Sequence, residues 1–141
     1  NTPRTRSHNP PSENSGTRIA IPRTVTYRFC MKLSKGLVGA SAAPLVLSLL
    51  EGGESYGYAI IERVRELSAE QIEWTDGMLY PVLHRLEGQG FVTARWGLSD
   101  AGRKRKYYSL TKEGRAELAE QKEQWGVVQA TLTRLWGAAD A

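Results

Sequence analysis

Cysteine is almost missing from this chain of 141 residues. Its one thiol, Cys30, cannot form an intrachain disulfide, so no disulfide framework holds the fold, and the chemistry fits a reducing compartment. Histidine is nearly as scarce. His8 and His84 together with that Cys supply no metal-ligand spacing, and no metal is expected. There is no GxxxxGK phosphate cradle and no nucleophile with an identifiable base, so the sequence points neither to an enzyme nor to a cofactor. A long apolar run is lacking as well. MKLSKGLVGASAAPLVLSLL, from Met31 to Leu50, is interrupted by Pro44, and its apolar stretch of about 14 residues falls short of the roughly 20 that span a bilayer. Two lysines ahead of that stretch look like a secretory signal, but Glu51-Gly52-Gly53-Glu54 is a poor cleavage site. A first core helix, entered near Ser41 with Pro44 in or near its first turn and ended by Gly52-Gly53, explains more, and no membrane partner is expected.

Basic charge is sparse where it would matter most for a folded domain. Of the formal +4, residues 1–35 hold seven cations (Arg4, Arg6, Arg18, Arg23, Arg28, Lys32, Lys35) against Glu13, a net +6, which leaves the remainder at −2. Any evidence for a polyanionic partner must therefore be local. Residues 1–30 hold prolines 3, 10, 11 and 22 and no apolar period, so they are expected to be disordered. Met31 reads as a candidate natural start, which would make the preceding residues either an added leader or a basic arm. The length otherwise suits one domain with a tail.

Within that domain, WTDGMLYPVLHRLEGQGF (Trp74 to Phe91) is a short helix with a start, an apolar stripe and a stop. Thr75 is its N-cap, Asp76 lies favourably at the positive end of the helix dipole, and Gly88 and Gly90 end it. Leu79, Leu83 and Leu86, with Val82 at the edge, share the core face. The opposite face carries Gly77, Pro81 and His84 flanked by Tyr80 and Arg85, small and polar enough to approach another surface closely. Three of these residues also have an ordinary structural reading, Pro81 as a kink or limit of the helix, His84 as a surface or core histidine and Tyr80 as packing at the core edge. Upstream, Ser55 is expected to cap YGYAIIERVRELS, a helix with Gly57, Ile60, Ile61, Val64 and Leu67 on its apolar stripe. Its partner across the short 69–75 connection is the Tyr80 helix, and the two form a helix-turn-helix pair.

After Gly90 the period changes to two. FVTARW and KYYSL form a hairpin, with GLSDAGRKR as a long tip turned at Gly97 and Gly102. Arg103, Lys104, Arg105 and Lys106 follow one another there and repel unless something negative lies near, although a solvated loop is the plainer alternative. Thr111 then caps a long helix in which Leu118, Gln121, Trp125, Val128, Leu132 and Leu135 step by three and four. That seam either docks back on its own domain or, as favoured here, is buried by a second copy, which also hides Trp136.

Three helices, a hairpin with a basic tip and a final helix make a mainly α fold with a small β-hairpin, a winged helix-turn-helix. Residues 1–35 are assigned as the leader, 36–110 as the winged-helix DNA-binding domain and 111–141 as the dimerisation helix. Double-stranded DNA is the expected partner, with Thr75, Gly77, Tyr80, Pro81, His84, Arg85 and the four wing cations facing it and half-sites set by the two-fold of a homodimer. The competing function is a winged helix that binds an acidic protein partner and not DNA.

Residues 45–115, through LVLSLLEGGESYGYAII, DGMLYPVLHRLEGQGFV and GRKRKYYSLTKEGR, resemble the PadR-like winged-helix transcriptional regulators. The resemblance implies a cytoplasmic homodimeric repressor of the compact branch, with one C-terminal helix for dimerisation. It also implies release from DNA by a small phenolic or planar hydrophobic effector. Trp125 stands where some relatives carry an aromatic residue facing such a ligand, though a core role fits a Trp there equally well. Met78 replaces the Thr usual before Leu-Tyr-Pro, and the basic leader lies outside the family pattern.

Overall fold

The computed structural model describes residues 33–137, so the expectation of disorder in the leader lies outside the described residues. Helix α1 (Lys35–Glu51) begins well before Ser41. Ser34 is its N-cap, its hydroxyl accepting the Leu37 N–H at 3.3 Å, and Pro44 lies mid-helix, not in the first turn. A proline there removes one helical hydrogen bond. What outweighs that loss is burial, because Ala42, Val46, Leu47 and Leu50 are essentially solvent-free and must present one continuous face to the core.

After α1 the chain makes a strand that the sequence reading lacks. Ser55–Tyr56 is β1, paired antiparallel with a later strand, and Ser55 therefore caps nothing. Helix α2 (Gly57–Leu67) follows at once, with Tyr56 at its N-cap position and no side-chain cap. Gly57, Ile60 and Val64 form its buried stripe, whereas Leu67, expected on it, is exposed where the helix ends. The turn beyond is held by Ser68, whose hydroxyl accepts the Ile72 N–H at 2.9 Å and donates to the Arg65 carbonyl at 3.2 Å. Ala69 (φ 51°) and Glu70 (φ 67°) both occupy the left-handed region there, unusual for residues with a Cβ. Trp74, just before the next helix, is buried and belongs to the core cluster.

Helix α3 (Asp76–Gly88) matches its expected bounds. The Thr75 hydroxyl accepts the Met78 N–H at 3.3 Å. At the other end the Phe91 N–H reaches the Leu86 carbonyl (2.9 Å) and the Gly90 N–H the Glu87 carbonyl (3.0 Å), the paired bonds of a Schellman stop with Gly90 at φ 81°. Strands β2 (Val92–Leu98) and β3 (Lys104–Leu110) are longer than expected because Gly97 pairs with Arg105 inside the ladder, leaving only Ser99–Arg103 as the tip. The sheet order is β1-β3-β2, antiparallel throughout.

Helix α4 (Lys112–Leu135) is capped by Thr111, whose hydroxyl accepts the Gly114 N–H at 3.0 Å. Its first turns belong to the core of the same chain. Leu118 is 1% exposed and Gly114 is buried against the Phe91 carbonyl, so Leu118 is a core residue, and the expected boundary at 110/111 divides a packed unit. The correction has a simple cause: one apolar spacing runs the length of α4, but its partner changes from core to solvent after the second turn. The core is one cluster in which α1, α2 and α3 meet under Val92 and the fully buried Tyr108 of the sheet.

Candidate nucleic-acid interface

Helix α3 turns Leu79, Val82, Leu83 and Leu86 inward, and this fixes what it shows outward: Gly77, Pro81, His84 and Arg85 are all exposed. Tyr80 is committed in part. Its ring lies over the start of α2, where a Cβ on Gly57 would come within 2.7 Å of the Tyr80 hydroxyl. The close approach needs a residue without a side chain at 57, and it holds a phenol at the border between α2 and the open face of α3.

The wing separates cations that are neighbours in sequence, since successive strand residues point to opposite sides. Arg105 goes outward, its guanidinium 3.8 Å above the Tyr56 ring. Tyr56 meets Tyr107 edge to face at 5.8 Å, and Arg95, opposite Tyr107 in the ladder, lies 4.7 Å over that ring. Arg95 then donates two hydrogen bonds to the Glu54 carboxylate, one of them from Nε at 3.0 Å. The hydrogen bond from Arg95 holds the Glu54 carboxyl below its ordinary pKa. This ladder of Glu54, Arg95, Tyr107, Tyr56 and Arg105 ties the wing to β1 and went unforeseen, because it depends on a strand of two residues that leaves no period in the sequence.

On the inner side lie Lys104 and Lys106, opposite Leu98 and Trp96. The Lys106 ammonium is 5.5 Å from the Tyr108 ring, and the Tyr108 hydroxyl also feels Glu87 and Tyr80 of α3. Burial is the main cause that pushes the Tyr108 phenol above its ordinary pKa. The inner side of the wing and the Tyr80 side of α3 thus meet at one buried phenol. The four-cation run is not one patch: Arg103 and Lys104 are exposed at the tip, Lys106 is partly covered on the inner side, and Arg105 is stacked on the outer side.

The fold that presents this helix and wing is shared with known proteins. The model described as the transcriptional regulator PadR-like family matches residues 46–120. The chain belongs to the PadR-like family. An uncharacterised protein of Lysinibacillus sphaericus is 32% identical over 62% of this chain and 81% of its own. The negative transcriptional regulator PadR of Bacillus subtilis is 33% identical over 52% of this chain, but the match spans only 40% of that longer protein. A PadR family transcription regulator of Clostridium difficile superposes with a TM-score of 0.61 at 30% identity, covering 69% of this chain and 99% of that one. PadR-like membership thus carries the winged-helix fold and a role in transcriptional regulation, not catalysis.

The matched segment of this PadR-like chain ends in α4, just past Leu118. Beyond it Trp125, Val127, Val128 and Leu135 are exposed, Leu132 is partly so, and Trp136 is 77% exposed. Trp125 does more than sit on that seam. With Leu33, Leu37, Ser41, Pro44, Leu45, Ser48 and Ile72 it lines an apolar groove of about 380 Å³ between α1 and α4. No helix of the described residues is long and apolar enough to cross a membrane.

Proposed function

We propose that the protein is a cytoplasmic, homodimeric, sequence-specific DNA-binding repressor that a small planar hydrophobic molecule releases from DNA. The observation that carries this reading is the uncovered face of α3, with Gly77, Pro81, His84 and Arg85 exposed and the cationic tip of the wing on the same body. A major groove about 12 Å wide admits one helix, and small residues at 77 and 81 let it sit deep. His84 and Arg85 then reach base edges. Thr75 and the first-turn N–H groups hold a phosphate oxygen, with Tyr80 at the rim. Arg103 and Lys104 meet the neighbouring backbone or minor groove, and Lys106 and Arg105 brace them from the two sides of the wing.

The dimer reading is supported by apolar surface. Among the described residues Trp125, Val128, Leu132 and Leu135 repeat along α4 and remain exposed or partly exposed, and a two-fold partner would bury them. Half-sites would then lie one helical turn apart, about 34–36 Å. The repressor sign is supported by the name of the Bacillus subtilis relative. The effector reading is supported by the Trp125 groove, whose size is within the roughly 300–1,000 Å³ of small-molecule sites.

Selection of bound fragments from a random duplex pool tests the function, and a recovered half-site present twice at that spacing is the expected result. Binding should weaken steeply with salt, and Arg103→Ala with Lys104→Ala should flatten the slope for every sequence. Failure to retain any duplex at low salt would instead favour a winged helix that binds an acidic protein.

A further inference from the structure

Along the inner side of β2 the residues run Val92, Ala94, Trp96, Leu98. Val92 is buried and Ala94 packs on the core, but the hairpin then leaves the core and the apolar character does not stop. Trp96 and Leu98 are each 68% exposed. Lys106 and Lys104 pair with them across the ladder, with the Lys106 ammonium 6.0 Å from the Trp96 ring. Trp96, Gly97, Leu98 and Lys104 line an open groove of about 500 Å³. Single exposed apolar side chains need no explanation, whereas an adjacent Trp and Leu framed by cations form a surface suited to a partner.

Resting on the DNA-binding reading above, we propose that Trp96 and Leu98 are an apolar foot of the wing. They seat on the deoxyribose faces of the minor groove while Lys104 and Arg103 hold the flanking phosphates. Charge chooses the occupant. A two-fold contact is self-complementary, so a second copy of this face would set Lys104 and Lys106 against their own counterparts. A duplex offers what the surface lacks: closely spaced negative charge with apolar sugar walls between, against which wedge-like side chains pack in minor-groove complexes. The foot is also continuous with the α3 side through Lys106 and Tyr108.

An apolar contact displaces no counterions, and that property makes it separable from the lysines. With the full chain and duplexes recovered from a random pool, Trp96→Ala and Leu98→Ala together should weaken binding about tenfold or more at every salt concentration, leaving the slope against salt unchanged. Lys104→Ala should flatten that slope. Trp96→Phe should recover most of the affinity, and urea midpoints should stay at the wild-type value because both side chains are exposed. Wild-type DNA affinity in the double variant would overturn the proposal and leave the regulator reading standing. So would loss of self-association, or of binding to anionic lipid vesicles, with DNA affinity intact. A wild-type chain that holds no duplex at low salt would remove both.

Discussion

Replacing Gly114 with alanine sets two effects of opposite sign against each other. Gly114 lies in the first turn of α4, where helix propensity alone favours alanine by about 1 kcal/mol. A Cβ there, however, would sit 2.0 Å from the Phe91 carbonyl oxygen and 2.7 Å from Leu110 Cδ1. Carbon–oxygen contacts settle near 3.3 Å, so α4 would have to retreat by about 1.3 Å, and backbone cannot rotate away as a side-chain tip can. That retreat breaks the bonds that seat the helix, from the Thr111 N–H to the Phe91 carbonyl (3.0 Å) and from the Thr111 hydroxyl to the Gly90 carbonyl (2.6 Å). Two lost hydrogen bonds at about 1 kcal/mol each and overpacking of about 1–3 kcal/mol, less the propensity gain, leave a net loss of roughly 2–4 kcal/mol. Urea unfolding at fixed protein concentration should show it as a lower midpoint with an unchanged slope. A Gly114→Ala protein as stable as wild type, or more so, would refute the reasoning. The functional readout is sharper still. At 1.5 Å per residue the 24 residues of α4 extend about 36 Å, so a tilt of about 10° at its root carries the far end about 6 Å, nearly two base-pair steps. In a dimer held by that far end, preference for half-site spacing should broaden or shift.

Three further outcomes are expected. Ala69→Gly relieves a left-handed residue at the end of α2 and should stabilise the protein by about 0.5–1 kcal/mol, read as a higher Tm; a fall would mean that the Ala69 methyl makes contacts outweighing its dihedral cost. His84→Ala and Arg85→Ala should relax sequence preference at single positions by roughly 1–3 kcal/mol while Arg103→Ala acts on all sequences alike, so uniform weakening by the α3 variants would remove α3 as the reader. Burial raises the Tyr108 pKa above its unfolded value, so this phenol contributes stability that is intact below about pH 10 and lost as pH rises further. Lys106 opposes that shift, while Glu87 and Tyr80 add to it. Tyr108→Phe should therefore resist alkaline unfolding better than wild type when denaturant midpoints are compared across that range, and parallel curves would count against it.

Helix α3 was legible because everything that defines it is local: a Thr cap, a leucine stripe and a glycine stop are written in adjacent residues. The wing was legible as two strands, but the placement of its cations was not, since Arg103 stays in the turn while the strand sends Lys104 and Lys106 to one side and Arg105 to the other. Pro44 misplaced the start of α1, because the rule that puts proline in a first turn weighs one lost hydrogen bond and not a long buried face. Leu118 was assigned to the dimer seam for a related reason. Spacing says which residues share a side of a helix, not what that side touches. Strand β1 had no signal at all, and with it went Glu54, Tyr56, Arg95 and Tyr107, which find one another only through the register of the sheet.

Because β1 spans only Ser55 and Tyr56, it shields β3 at Tyr107 and Tyr108 and, among the described residues, leaves Lys104, Arg105 and Lys106 with an unpaired flank on that side. An open strand border is an invitation to other extended chains, and crowded or partly unfolded copies would add to it strand by strand. Three consecutive cations make that border repellent to its own kind, so the residues proposed to meet a polyanion would also discourage edge-to-edge pairing between copies.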